Sequence, residues 1–567
     1  MKLRNLWVAA AATASLAALG ACKSDEMLGV DNTNNPDVAR AFATPDGVEN
    51  VLKNGFVQIF GATHGTSTAI WPAAQATALE SYGSVANFGL NLRASIPRSV
   101  IDNTRGNPTA AENLRDFQQL FLRGRLVANA LGAFAGLQEK GGSIGSAFQD
   151  MRARSYGFFA MAMANGEGAL MYDSVAVVHP KLERLEIPPL QSYGDAMTKA
   201  LEQLDSAIAI ANASKAVTSS SQKAAYLPVE WMKTSVAPTT LDNYIKLLYS
   251  TKARFRAGVA RNAAERDAVD WTAVVNDASK GITSDWVLAL DANAGWSGSW
   301  LSQSAVSNGW SGMTPAIIGM ADTTSGYSDW IALDRGSRAP FLISTPDARF
   351  PAGATRAAQT TNSPAKSSSL APVYFRARPP GEDEPGASYG NSYYDHARFA
   401  SGYRAGGSVG PWVWMSQAEN DMLAAEGLMR LNRDAEAVPL INRTRVANNL
   451  PPFPAGATKA TRAPAQPGGG PNSCVPRTPT GAGGSVECGT MYEAMKWEKR
   501  METLFTGYAQ WFIDSRGWGD LPVGSPQMYP VPYQEMDARY EPIYNSIVGD
   551  AKWQALTSTY GFGVGTR

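Results

Sequence analysis

The chain has 567 residues, with 50 Lys+Arg against 50 Asp+Glu, a formal net charge of zero. That balance leaves no basic footprint for nucleic acid. The length supports one large helical unit or two to three packed subdomains, and the only histidines, His64, His179 and His396, are too scattered for an HExxH motif or a metal triad.

Residues 1–21 read as a secretory signal: Lys2 and Arg4, an apolar run from Leu6 to Leu19, then Leu19-Gly20-Ala21-Cys22. The run is shorter than the roughly 20 residues a membrane span needs, so cleavage rather than anchoring is expected. Its end resembles the bacterial lipobox, which implies acylation of Cys22 and a protein that lies on a membrane by its acyl chains. Residues 22–43 form a polar tether, and Ser24-Asp25-Glu26 within it resembles the acidic export tag of surface lipoproteins in Bacteroidetes-like bacteria.

The first helix is predicted from Thr44-Pro45-Asp46, a Thr cap followed by Pro at the first helical position, and should end near Gly61. A loop-rich stretch from Trp71 to Thr109 follows, and His64 and His179 are expected in solvated loops. Helical periodicity then covers about 110–137, 148–171, 190–211, 240–262 and 270–282. Antiparallel pairs of such helices suggest tetratricopeptide-like packing in a helical part spanning 44–283.

Between 284 and 405 the helical rhythm disappears. Trp286, Trp296, Trp300, Trp310 and Trp330 fall there among Gly and Ser. A tryptophan on a loop can present its flat face to the C–H-rich face of a sugar ring, with Asn, Asp and Arg bonding the hydroxyls. These five are the candidate ligand contacts, with Tyr82, Asn87, Tyr327 and Arg335 as further ones. Trp412, Trp414, Trp511 and Trp518 are assigned to packing.

The C-terminal helical part, 406–567, has helices at 415–430 and about 434–447, the second with Pro439 inside it, which should weaken or kink it. A Pro- and Gly-rich loop, 451–490, holds Cys474 and Cys488, which an exported compartment would allow to pair. One long helix is expected from Tyr492 to about Phe512. No catalytic set is legible: Gly141-Gly142-Ser143-Ile144-Gly145 is a turn between helices, not a nucleophile elbow. Glu498, Glu502 and Asp514 are the carboxylates that glycosidase chemistry could use, but Glu498 and Glu502, at i and i+4 among Lys496, Lys499 and Arg500, suit ion pairing better. No metal or cofactor is expected.

Several stretches, taken in order, resemble the SusD/RagB-like nutrient-binding lipoproteins. They are Met151-Arg152-Ala153-Arg154-Ser155-Tyr156 through Tyr172-Asp173, Thr345-Pro346-Asp347-Ala348-Arg349, and Ala424-Ala425-Glu426-Gly427 with Leu440-Ile441-Asn442-Arg443-Thr444-Arg445. The C-terminal signature is met by Glu498-Lys499-Arg500-Met501-Glu502, Trp511 to Gly519, and Tyr529 to Glu535, with Thr506-Gly507-Tyr508-Ala509 departing from it. The resemblance implies a mainly α, SusD-like fold with tetratricopeptide-like helix pairs. It also implies an outer-membrane lipoprotein facing the cell exterior, which captures an oligosaccharide or similar nutrient without catalysis and passes it to a TonB-dependent, SusC-like transporter. A helical carbohydrate-active enzyme and a structural lipoprotein without a small ligand are the alternatives.

Overall fold

The computed structural model describes residues 42–65, 70–83, 90–99, 101–107, 111–183, 185–234, 238–298, 311–364, 370–383, 390–399, 409–480, 485–544 and 554–563. Cys22 and the tether before residue 42 lie outside them. Helices of eight residues or more are α1 (Pro45–Lys53), α2 (Gly55–His64), α3 (Ile70–Thr77), α4 (Ala111–Glu139), α5 (Ala147–Met171), α6 (Tyr193–Ser214), α7 (Leu241–Gly258), α8 (Trp271–Ala278), α9 (Gln417–Arg430), α10 (Asp434–Ala447), α11 (Met491–Glu502) and α12 (Gln510–Trp518).

The helix starts follow local chemistry. Thr44, Ser146, Ser192, Thr240, Asp270, Ser416 and Thr490 each accept a hydrogen bond from an otherwise unsatisfied first-turn N–H. Each such cap contributes on the order of 1 kcal/mol. Pro439 lies inside α10 on its exposed side. Ala435, whose carbonyl loses its N–H partner there, is exposed, so water can satisfy it and the helix runs on.

Stacking runs along the chain: α4 against α5, α5 against α6, α6 against α7, α7 against α8, α8 against α9, and α9 against both α10 and α11. A Cβ on Gly124 would meet Ala164 at 2.7 Å and one on Gly157 would meet Leu131 at 2.9 Å, the crossed order of an antiparallel pair in close approach. This is the tetratricopeptide-like arrangement that periodicity predicts. Buried ion pairs tie distant turns together: Arg254 of α7 to Glu419 of α9 at 2.7 Å, Arg266 to Glu426 of α9 at 2.6 Å, and Lys499 of α11 to Asp514 of α12 at 2.7 Å.

Strands among the described residues form two-stranded antiparallel ladders. The longest joins β1 (Trp286–Asp291) to β2 (Val409–Met415), with Leu288 opposite Trp412 and a register shift between Trp286 and Val287. On its other side β1 meets the chain at Lys233 and Thr234.

Four expectations from sequence need correction. The helix expected from Pro45 to near Gly61 is two, α1 and α2, separated at Asn54. Residues 70–77 are helical, not loop: every residue of α3 is buried, so it has no polar face to reveal a helical period. His64 is not in a solvated loop; it ends α2 fully buried, bonded to Thr63 and the Gly507 carbonyl and stacked 4.4 Å from Phe60, and burial pushes its imidazole down to about 3. The single helix expected over 492–512 is two, α11 and α12, separated by a turn with positive φ at Phe505, Gly507 and Ala509. Side chains from far away fix that turn: Glu80 accepts the Phe505 N–H at 2.7 Å, Trp412 donates to the Phe505 carbonyl at 2.8 Å, and Tyr508 donates to Asp116 at 2.6 Å.

Candidate functional site

Most of the described aromatic candidates are packed rather than presented. Trp296 is 2 % exposed and sits against Phe56 and Phe60 of α2, with ring centroids 5.8 and 5.2 Å away. Trp330 (3 %) and Tyr327 (0 %) stack on each other at 6.2 Å, and the Tyr327 hydroxyl donates to the Ala316 carbonyl. Tyr82 is 8 % exposed, pairs with Gly312 in a short ladder and closes against Gly390. Arg335 is half-buried in a single turn over Arg335–Ser337. The expectation of free ring faces therefore fails for Trp296, Trp330, Tyr327 and Tyr82: partners distant in sequence cover Trp296 and Tyr82, and Tyr327 and Trp330 pack on each other and on Phe341. Asn87, Trp300 and Trp310 lie outside the described residues. Trp412, Trp414, Trp511 and Trp518 are buried.

Trp286 differs, because it lines a pocket of about 260 Å³. One wall is the start of α7. Thr240 caps that helix by accepting the Asn243 N–H at 3.2 Å. Asn243 and Lys246 continue the same helical face at i+3 spacing, and all three line the pocket. The preceding chain is held by Thr239, which exchanges backbone hydrogen bonds of 2.9 and 3.0 Å with Leu227.

The other wall is the approach to β1, from Ile282 to Val287. Ser250 accepts the Ile282 N–H at 2.8 Å, and Lys246 Nζ donates to Thr283 Oγ1 at 3.3 Å. Asp285 accepts the Gln417 N–H at the start of α9 at 2.8 Å and lies 3.8 Å from Arg398. Trp286 is 7 % exposed, placed by its pairing with Met415, and its indole N–H has no acceptor among the described residues. An aromatic ring beside hydroxyls, an amide, an ammonium and a carboxylate is the composition of a site for a small polar ligand. The volume is slightly below the roughly 300–1,000 Å³ usual for such sites. Sequence reading found Trp286 but missed Thr239, Thr240, Asn243, Lys246 and Asp285, which no linear motif joins to it.

The carboxylates that glycosidase chemistry would require are committed elsewhere. Arg349 meets Asp347 at 2.7 Å, Glu498 at 3.1 Å and Glu502 at 3.3 Å, all sealed from solvent. Asp514 is held by Lys499. Glu498 and Glu502 are ion-paired, but with Arg349, Arg398 and Arg445 in the core and not, as expected, with Lys496, Lys499 or Arg500 along their own helix. Three other carboxyls are raised by burial, Glu80 and Glu167 to about 8 and Asp116 to about 7. Cys474 and Cys488 are joined by a disulfide, with Cα atoms 5.7 Å apart. Among the described residues no cluster of His, Cys, Asp and Glu could hold a metal ion.

No protein-family model matches the sequence, and no curated protein matches it. Solved structures do. A SusD homolog from Bacteroides uniformis is 14% identical, with 90% of this chain and 99% of that chain covered and a TM-score of 0.51. A SusD homolog from Bacteroides ovatus is 12% identical, with coverage of 91% and 98% and a TM-score of 0.49. A SusD-like protein from Bacteroides fragilis is 13% identical, with coverage of 85% and 88% and a TM-score of 0.48. The likeness to the Bacteroides uniformis structure extends over nearly both chains and shows the fold: mainly α, SusD-like, as the ordered sequence motifs imply.

Proposed function

We propose that the chain is a SusD/RagB-like lipoprotein of the outer membrane, anchored through acylated Cys22 and facing the cell exterior. It captures an oligosaccharide or similar nutrient without transforming it and passes it to a TonB-dependent, SusC-like transporter. The observation that carries this reading is a SusD-like fold with a compact polar pocket beside Trp286, while Glu498, Glu502 and Asp514 are consumed by structural ion pairs.

Calorimetric titration of the soluble protein, from residue 23 onward, with plant, fungal and bacterial glycans tests it. The expected result is saturable binding of at least one glycan with no release of reducing ends. Release of reducing ends would replace the reading with that of a surface enzyme, and silence across glycans and peptides would replace it with that of a structural lipoprotein.

A further inference from the structure

The polar groups around the Trp286 pocket are unequal in sign. Lys246 is half-buried, donates to the neutral Thr283 hydroxyl at 3.3 Å, and has no carboxylate within ion-pair distance among the described residues. The lining also carries the first turn of the 18-residue α7, the positive end of that helix. Its one acidic side chain in that turn, Asp242, pairs with Lys215 at 3.5 Å. The indole N–H of Trp286 has no acceptor among the described residues but is itself sealed, so the amide of Asn243 is the further donor in the lining. Among the described residues the only carboxylate in the lining, Asp285, already accepts from the Gln417 N–H and is offset by Arg398. Donors and positive charge are therefore in surplus.

We propose that the Trp286 pocket selects a carboxylate-bearing sugar unit, a uronic acid, over its neutral counterpart, with Lys246 as the residue that sets the preference. The inference rests on the proposed glycan-binding role and names the ligand class of that site. A half-buried ammonium with no counter-ion gains more from a ligand carboxylate than a surface lysine would, because the pair is less screened. Trp286 lines the pocket for either sugar, so charge alone separates the two.

The test uses matched disaccharide pairs that differ only at C6, as carboxylate or as hydroxymethyl, in the gluco, galacto and manno series. Each is titrated into the soluble protein and into Lys246→Gln. For at least one series the acidic member is expected to bind about tenfold or more tightly, with the advantage shrinking in Lys246→Gln and at 0.5 M salt. Circular dichroism and melting of the variant should match the parent, since Lys246 is half-buried. Neutral members binding as tightly as acidic ones would overturn the inference and leave the glycan-binding role standing. So would an acidic preference that Lys246→Gln leaves intact. No binding of any glycan, acidic or neutral, would overturn both.

Discussion

Arg254 of α7 and Glu419 of α9 face each other across the core through two hydrogen bonds of 2.7 Å, one from Nε and one from an Nη, with both side chains sealed from solvent. The pair joins helices 165 positions apart in the chain. It holds α9, and with it the Gln417 N–H that Asp285 accepts, against the wall of the pocket. Glu419→Gln leaves the Arg254 charge enclosed without its counter-ion and should cost about 3–5 kcal/mol. Urea unfolding measures it. The exposed Arg105–Asp537 pair is the control, and Arg105→Ala should leave the urea midpoint where it is.

Stability should fall on both sides of mildly acidic pH. His64 and His396 are each pushed by burial down to about 3. The unfolded chain, with histidine near 6.5, therefore binds more protons between pH 3 and 6.5, and stability is lost as pH falls through that window. Glu80, Glu167 and Asp116 are raised to about 8, 8 and 7, so the folded chain holds the extra protons above about pH 4.5. Stability from these groups is lost as pH rises toward 8. Each proton of difference changes the slope by about 1.4 kcal/mol per pH unit. Urea midpoints from pH 3 to 9 should show Glu80→Gln flattening the alkaline limb only, because the amide oxygen still accepts the Phe505 N–H.

Packing of α5 on α7 depends on a missing side chain. A Cβ on Gly166 would lie 2.0 Å from the ring of Phe255. Gly166→Ala should therefore lower stability by about 1–3 kcal/mol through overpacking. Gly136, in α4 with nothing within 4 Å of its would-be Cβ, should gain about 0.5–1 kcal/mol on the same substitution. Thermal melts of the two variants should move in opposite directions.

Trp296 and Trp286 should separate stability from binding. Trp296→Ala opens a cavity beside Phe56 and Phe60 and should cost about 3–5 kcal/mol. Trp286→Leu should melt closer to the parent and lose glycan affinity.

Export and capture should also separate. Cys22→Ala is expected to bind ligand in solution as before and to leave the membrane fraction, as cell fractionation would show. Loss of binding itself would contradict that division.

What could be read in the sequence was local. Thr44-Pro45-Asp46 announces α1 because cap, proline and acid act within one turn, and Asp434–Ala447 follows from its period even with Pro439 inside. Ser or Thr caps also mark the starts of α5, α6, α7, α9 and α11. What could not be read depended on residues far apart. α3 hides because neighbours bury it all round, and the break at Phe505 to Ala509 is imposed by Glu80, His64, Asp116 and Trp412. Trp296 looks like a loop tryptophan until Phe56 and Phe60 cover it. Lys246 and Trp286 share a pocket only because β1 runs back past the start of α7. Glycine and serine beside a tryptophan report on the local chain, not on what packs over the ring.

The measurement that bears most directly on the central claim is calorimetric titration of the tightest-binding glycan into the parent protein and into Trp286→Leu, with melting temperatures recorded for both. A capture protein whose site is the pocket between α7 and β1 predicts at least a tenfold loss of affinity in a variant that remains folded. Parent-like affinity in the folded variant would contradict it.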